Sequence, residues 1–176
     1  MAAVCVFCAS SRELAPRWLD LARDLGVALA RRGHTLVSGG GCVGMMGTVA
    51  EGARSLGAHT LGVIPQALVF QEVADAGCTE LITTVDMAER KSVMMAKADA
   101  FVILPGGLGT LDELFEVWTT RSLALHDKPV VLLDPDGFYT GLLDWLRGLV
   151  TTGFVRGSAL DTLTVASSIE AAVEAL

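Results

Sequence analysis

The 176-residue sequence contains no apolar run approaching the roughly 18 residues that a membrane-spanning helix requires. No membrane partner is therefore expected. Its opening stretch, MAAVCVFCASS, has neither the basic start nor the long apolar core of a secretory signal. Positive charge is scarce. Lys and Arg number 13 against 20 Asp and Glu, giving a net charge of -7 and a pI of about 4.8. With no basic cluster to set against that balance, nucleic acid is not an expected partner. A small phosphorylated ligand stays open, because a local site can be positive on an acidic chain. Cysteine and histidine are sparse too. Cys5 and Cys8 have CxxC spacing, but they sit in an apolar, strand-like run. Residues three apart on a strand point to opposite faces, so these thiols read as buried small hydrophobes. His34, His59 and His126 are scattered and show no metal-ligand spacing, so no metal site is expected. The lack of a disulfide framework makes the cytoplasm the expected compartment.

What the sequence has is apolar residues, 52% of the chain, with only 19% charged. This supports a sizeable core, and more core than a monomer needs. Short apolar runs alternate with amphipathic segments. AVCVFCA, HTLVSGG, HTLGVIP, a stretch near Glu80–Val85, AFVILPGG, KPVVLLDPDG and the tail read as strands. Between them PRWLDLARDLGVALARRG, MMGTVAEGARSLG, MAERKSVMMAKA, TLDELFEVWTTRSLAL and FYTGLLDWLRGLVTTG read as helices, with a final capping helix. LVFQEVADAGC reads as an irregular connection. This alternation predicts one α/β domain over residues 1–176, a doubly wound and mainly parallel sheet with helices on both faces. Continuous runs such as FVIL and VVLL suit strands buried on both sides. Such sheets bind ligands beyond the carboxyl ends of their strands.

Two glycine loops follow predicted strands at that end. In SGGGCVGMMG, Gly39, Gly41 and Gly44 match GxGxxG formally. The match falls on the second strand, and the third strand ends GVIPQ without the acid that would hold a ribose hydroxyl. Dinucleotide binding, tight strand–helix packing, and phosphate or sugar binding by exposed backbone remain open. The second loop, Pro105–Thr110, carries Gly106, Gly107 and Gly109 ahead of a helix. Glycine leaves room for an anion to approach backbone N–H groups, and a helix start supplies unpaired donors. No Gly-Lys-Ser/Thr follows, so a monophosphate fits better than a triphosphate. Asp112 and Glu113 read as first-turn acids, which the helix dipole favours. Glu113 has a second reading: an ionised carboxylate beside a bound phosphosugar could stabilise a cationic sugar transition state. Arg90 and Lys91 near the start of a helix run against the dipole. They are either a solvated pair balanced by Glu89 or a grip for phosphate.

An Arg-Lys pair, about a dozen residues, and then Pro-Gly-Gly-x-Gly-Thr-x-x-Glu resembles the LONELY GUY (LOG) family of cytokinin riboside 5′-monophosphate phosphoribohydrolases. SGGGCVGMMG, GVIP, DMAERK and HDKPVVLLDPDGFY follow that family's order over nearly the whole chain. The resemblance implies a Rossmann-like fold and hydrolysis of the N-glycosidic bond of adenosine 5′-monophosphate or its N6-prenylated forms, with no cofactor. It implies Arg90 and Glu113 as the catalytic pair. Substrate contacts implied alongside are Lys91, Gly106, Gly107, Gly109 and Thr110, with Gly39, Gly40, Gly41 and Ser10. It also implies a homodimer or larger assembly, with helices near Met94 and Val117–Leu123 as the expected contact surfaces. The different-class alternative is a nucleotide-monophosphate binding or sensing protein without turnover. Thr119-Thr120-Arg121-Ser122-Leu123 stands where many members read Thr-Trp-x-Gln-Leu, which bears on the base pocket and the subunit contact. Homologues also carry the label lysine decarboxylase. That reaction needs a Schiff-base lysine, and nothing around Lys91, Lys97 or Lys128 marks one.

Overall fold

The computed structural model describes residues 1–69 and 74–176. The middle of the expected irregular connection, residues 70–73, lies outside the described residues. Strands and helices alternate: β1 (Ala3–Phe7), α1 (Pro16–Arg31), β2 (Thr35–Ser38), α2 (Gly44–Arg54), β3 (Thr60–Pro65), β4 (Glu80–Thr84), α3 (Met87–Lys97), β5 (Ala100–Ile103), α4 (Leu108–Ser122), β6 (Val130–Leu133), α5 (Thr140–Thr151), α6 (Gly157–Leu160), β7 (Thr164–Ala166) and α7 (Ile169–Glu174). The sequence reading lacked α6 and a short 3-10 turn, Gln66–Leu68. Neither is long enough to show a helical period.

The strands form one seven-stranded sheet in the order β4-β3-β2-β1-β5-β6-β7. All six pairings are parallel. Alternate residues of a strand feed opposite layers. Val4 and Val6 pack under α1, α2 and α7, while Cys5 and Phe7 pack under α3, α4 and α5. The CxxC thiols accordingly fall on opposite faces, with Cys8 against the first of these layers.

Local chemistry sets the helix ends that matter. Pro16 opens α1, where its fixed φ fits and its missing N–H costs nothing. Gly33 closes α1 at φ 74°. Asp86 caps α3 by accepting from the Glu89 N–H at 2.9 Å, and the Glu89 carboxylate reaches back to the Val85 N–H at 2.6 Å.

Candidate functional site

Chain order reverses between β1 and β5, so the connections leaving their carboxyl ends diverge and open a crevice. A cavity of about 400 Å³ lies there. Ser10, Gly39, Arg90, Gly107, Gly109, Thr110 and Glu113 line it, all of them residues singled out from the sequence. Cys8, Leu68, Met46, Met87 and Met94 complete much of its wall. The apolar part was missed, although Met87, Arg90 and Met94 share one face of α3 by spacing alone.

Arg90 is 5% exposed. Its Nε donates to the Val63 carbonyl at 3.1 Å and its Nη2 to the Gly39 carbonyl at 3.0 Å. The reading of Arg90 and Lys91 as a solvated pair balanced by Glu89 is therefore overturned for Arg90: the Glu89 carboxylate serves the start of α3, and the guanidinium points inward. Gly39 takes on a specific meaning. A Cβ added there would lie 1.9 Å from Arg90 Nη2. Glycine is needed at this position to admit the guanidinium. Gly44 serves packing, since its Cβ would come within 2.5 Å of the Ser11 carbonyl oxygen. Gly40 and Gly41 stand behind the crevice. Gly40 has φ +75° and lies against Val63, and Gly41 bridges to Ala74.

The second loop is shorter than the sequence implied. Helix α4 begins at Leu108 with Gly107 as its cap, so Gly109 and Thr110 are already helical. Asp112 and Glu113 consequently lie in the second turn, and the first turn holds no acid. The expectation of first-turn acids fails because Leu-Gly-Thr has loop composition but helical geometry. A Cβ at Gly107 or Gly109 would meet nothing within 4 Å, so both present open backbone. Gly106 does not line the cavity, and its Cβ would come within 2.1 Å of Thr110 Oγ1. Asp112 has an ion-pair role in place of the expected helix-start one. Lys91 Nζ lies 3.0 Å from Asp112 Oδ2 and 2.6 Å from Glu116 Oε2, which ties α3 to α4. Hydrogen bonds to Glu116, then Asp112, raise the Lys91 pKa. Lys91, Gly106, Gly40 and Gly41 are thus the expected contacts that do not line the cavity.

Opposite charges meet at Cys8. Burial raises its pKa first, Glu113 raises it further, and Arg90 counters. The acid and the guanidinium therefore act on one thiol from within one crevice, and that thiol stays protonated and unreactive. Among the described residues, no group of three or more His, Cys, Asp or Glu side chains could hold a metal ion. No helix among them is long and apolar enough to cross a membrane. The departing segment Thr120-Arg121-Ser122 lies outside the cavity lining. Arg121 donates to the Asp127 and Lys128 carbonyls, bracing the turn before β6.

Part of the expected subunit surface needs correction. Met94, Val117 and Trp118 are buried in the chain's own core, because α3 and α4 turn those residues toward the sheet. The exposed apolar residues lie beyond them. Leu123, Leu125, Trp145 and Phe154 are exposed, and Leu123 and Phe154 line a second groove of about 330 Å³ between α4, α5 and α6.

Comparison with known proteins adds four findings. A family model described as possible lysine decarboxylase matches residues 46–176. The chain is similar to a cytokinin riboside 5′-monophosphate phosphoribohydrolase of Mycobacterium tuberculosis, with 50% identity over 98% of this chain and 91% of that protein. A probable cytokinin riboside 5′-monophosphate phosphoribohydrolase of Oryza sativa subsp. japonica is 42% identical over 98% of this chain and 71% of that protein. Among solved structures, a molybdenum cofactor binding protein from Rippkaea orientalis superimposes with a TM-score of 0.74. It is 26% identical and covers 98% of this chain and 93% of its own.

Proposed function

The chain belongs to the LONELY GUY family of cytokinin riboside 5′-monophosphate phosphoribohydrolases, and from that membership we propose that Arg90 and Glu113 carry the family's reaction here. The protein is a hydrolase of the N-glycosidic bond of adenosine 5′-monophosphate and its N6-substituted forms. Water adds at C1′ of the ribose, and the base leaves with a proton. The products are free base and ribose 5-phosphate. The older decarboxylase description fits the lysines poorly. Lys91 is held as an ammonium by two carboxylates, and Lys128 Nζ donates to the Met95 carbonyl at 2.8 Å. A Schiff-base lysine needs the reverse, a lowered pKa.

The observation that carries the proposal is the convergence of Arg90, Glu113 and the open start of α4 on one crevice. The bare N–H groups from Gly107 to Thr110, with the positive end of the α4 dipole, receive the 5′-phosphate. That places the ribose over Glu113, one turn further along. As the C–N bond breaks, the sugar gains positive charge, and the carboxylate stabilises it. Arg90, fixed by two backbone carbonyls, orients the ribose. Met46, Met87 and Met94 offer the base a polarizable apolar wall. The reaction needs no added metal or cofactor. The protein acts in the cytoplasm as at least a homodimer, joined through the apolar surface around Leu123 and Phe154.

Glu113→Gln tests the chemistry. Charge that develops only in the transition state makes the carboxylate count in kcat more than in affinity. The variant should lose roughly 10²-fold or more in kcat on AMP, as other electrostatic catalytic groups do, and still bind ribose 5-phosphate. A folded Glu113→Gln protein with near-normal release of base would remove Glu113 from the mechanism. It would also leave the non-catalytic binding protein as the better reading if the parent shows no turnover either.

A further inference from the structure

Tyr139 is the sole tyrosine of the chain, and the reaction described above does not use it. It follows β6, is 2% exposed, and packs its ring among residues of β5, α4 and α5. Its hydroxyl donates to the Leu104 carbonyl at 2.7 Å. That carbonyl immediately precedes Pro105, Gly106 and Gly107. Burial raises the Tyr139 pKa, so the group stays neutral. The Tyr139 N–H is held in turn by Asp134 Oδ2 at 3.2 Å, and the Asp134 N–H by the Ala166 carbonyl of β7 at 2.8 Å. On the opposite side, the Leu104 N–H donates to the Phe7 carbonyl of β1 at 2.9 Å.

The glycine loop therefore has a polar support on its underside. We propose that Tyr139 is a positioning residue for phosphate recognition: its phenol fixes the Leu104 carbonyl, and so the direction in which the N–H groups from Gly107 to Thr110 point at the phosphate monoester. The chemistry of the side chain suits the place. A phenol is a hydrogen-bond donor carried at a fixed reach on a rigid ring, and here it donates to the Leu104 carbonyl. It does so without charge. A carboxylate in its place would compete with the ligand for the positive end of α4. A phenylalanine would fill the same volume but leave the buried Leu104 carbonyl without its partner, and the loop free to turn.

The proposal rests on the reading that this loop holds the 5′-phosphate, and the test separates the two. Ribose 5-phosphate and inorganic phosphate are titrated into the wild-type protein and Tyr139→Phe by calorimetry. Turnover is followed on AMP and on adenosine, which lacks the phosphate. For Tyr139→Phe, the Kd for ribose 5-phosphate and the KM for AMP should rise about tenfold, the usual scale for a buried group left unpaired. Residual turnover of adenosine should match the wild type. Unchanged phosphate affinity overturns the proposal. So does an equal loss on AMP and adenosine, which would make Tyr139 a general support of the fold. If wild-type protein binds neither ribose 5-phosphate nor phosphate, the phosphate reading fails and this proposal goes with it. Should Tyr139→Phe fail to fold, the single tyrosine supplies a second measurement. Biosynthetic replacement by fluorotyrosine labels position 139 alone. Its fluorine resonance should move on titration with ribose 5-phosphate and stay in place with adenosine. A resonance indifferent to ribose 5-phosphate overturns the proposal without any substitution.

Discussion

Adding one methyl group at Gly39 should disable the site from its far wall. The backbone at Gly39 is not in the left-handed region, so alanine brings no intrinsic strain there. The effect comes from space. The new Cβ would sit 1.9 Å from Arg90 Nη2 and 2.7 Å from Met46 Sδ, where ordinary contact is about 3.5 Å or more. The methionine is flexible and can turn aside. The guanidinium is 5% exposed and tied to the Val63 and Gly39 carbonyls, so it can yield only toward the crevice. Losing the Gly39 hydrogen bond, a charged one, costs about 1.5–3 kcal/mol. That corresponds to roughly 10- to 150-fold in an equilibrium constant. A displacement of about 1 Å in a catalytic group adds a loss on the order of 10²-fold in rate. We expect Gly39→Ala to lower kcat/KM for AMP by roughly 10²-fold or more. Release of adenine from AMP gives the rate, and melting temperature is measured alongside. Gly148→Ala serves as control, because it lies on α5 with nothing within 4 Å of the added carbon. The decisive comparison is a double-mutant cycle in melting temperature. In an Arg90→Ala background the added methyl meets no guanidinium, so Gly39→Ala should cost little there. Wild-type activity in Gly39→Ala, or an equal drop in melting temperature in both backgrounds, would refute the steric argument.

Lys91→Met should lower the melting temperature at neutral pH, because Asp112 and Glu116 lose their common partner, while base release is largely kept. The folded-state pKa of Lys91 is raised, so its contribution is complete below the ordinary lysine value of about 10.4 and is lost as pH climbs through the higher folded value. The wild type should show an alkaline loss of stability that Lys91→Met lacks, and a large rise in KM with no change in melting temperature would instead make Lys91 a substrate contact. Phe154 is 84% exposed beside the groove between α4 and α5. Phe154→Asp should shift the mass seen by light scattering from dimer toward monomer, and a monomeric wild type at micromolar concentration would contradict the dimer.

The order of elements was legible because buried parallel strands write themselves as unbroken apolar runs, as FVIL and VVLL do. The crevice was legible because both glycine loops follow strands at the same end of the sheet. What the sequence hid depends on distance along the chain. The seat of Arg90 is built from Val63 and Gly39, 27 and 51 residues earlier, so from the sequence a solvated arginine balanced by Glu89 and an inward-facing one both stayed open. Asp112 looked like a helix-start acid because its partner, Lys91, lies on another helix 21 residues away. The start of α4 was misplaced by two residues because glycine at its second position speaks for a loop, while its geometry obeys the cap at Gly107. Tyr139 gave no signal beyond its place at the end of HDKPVVLLDPDGFY. One hydroxyl on a buried ring is silent until the backbone above it is known.

The second glycine loop also bears on when order is acquired. Glycine has the largest conformational freedom to lose, and fixing a residue costs roughly 1–2 kcal/mol of backbone entropy. In this chain that cost falls on folding. Leu104 is already bonded on two sides, to Phe7 and to Tyr139. Gly106 is pressed against Thr110, and the Leu111 N–H returns to the Gly107 carbonyl at 3.0 Å. On the proposed reading, a phosphate arriving at the start of α4 meets donors whose freedom is already gone, and little of its attraction is spent on ordering them. The bareness that makes the loop look flexible on paper is what lets a rigid piece of backbone come within hydrogen-bonding distance of a ligand.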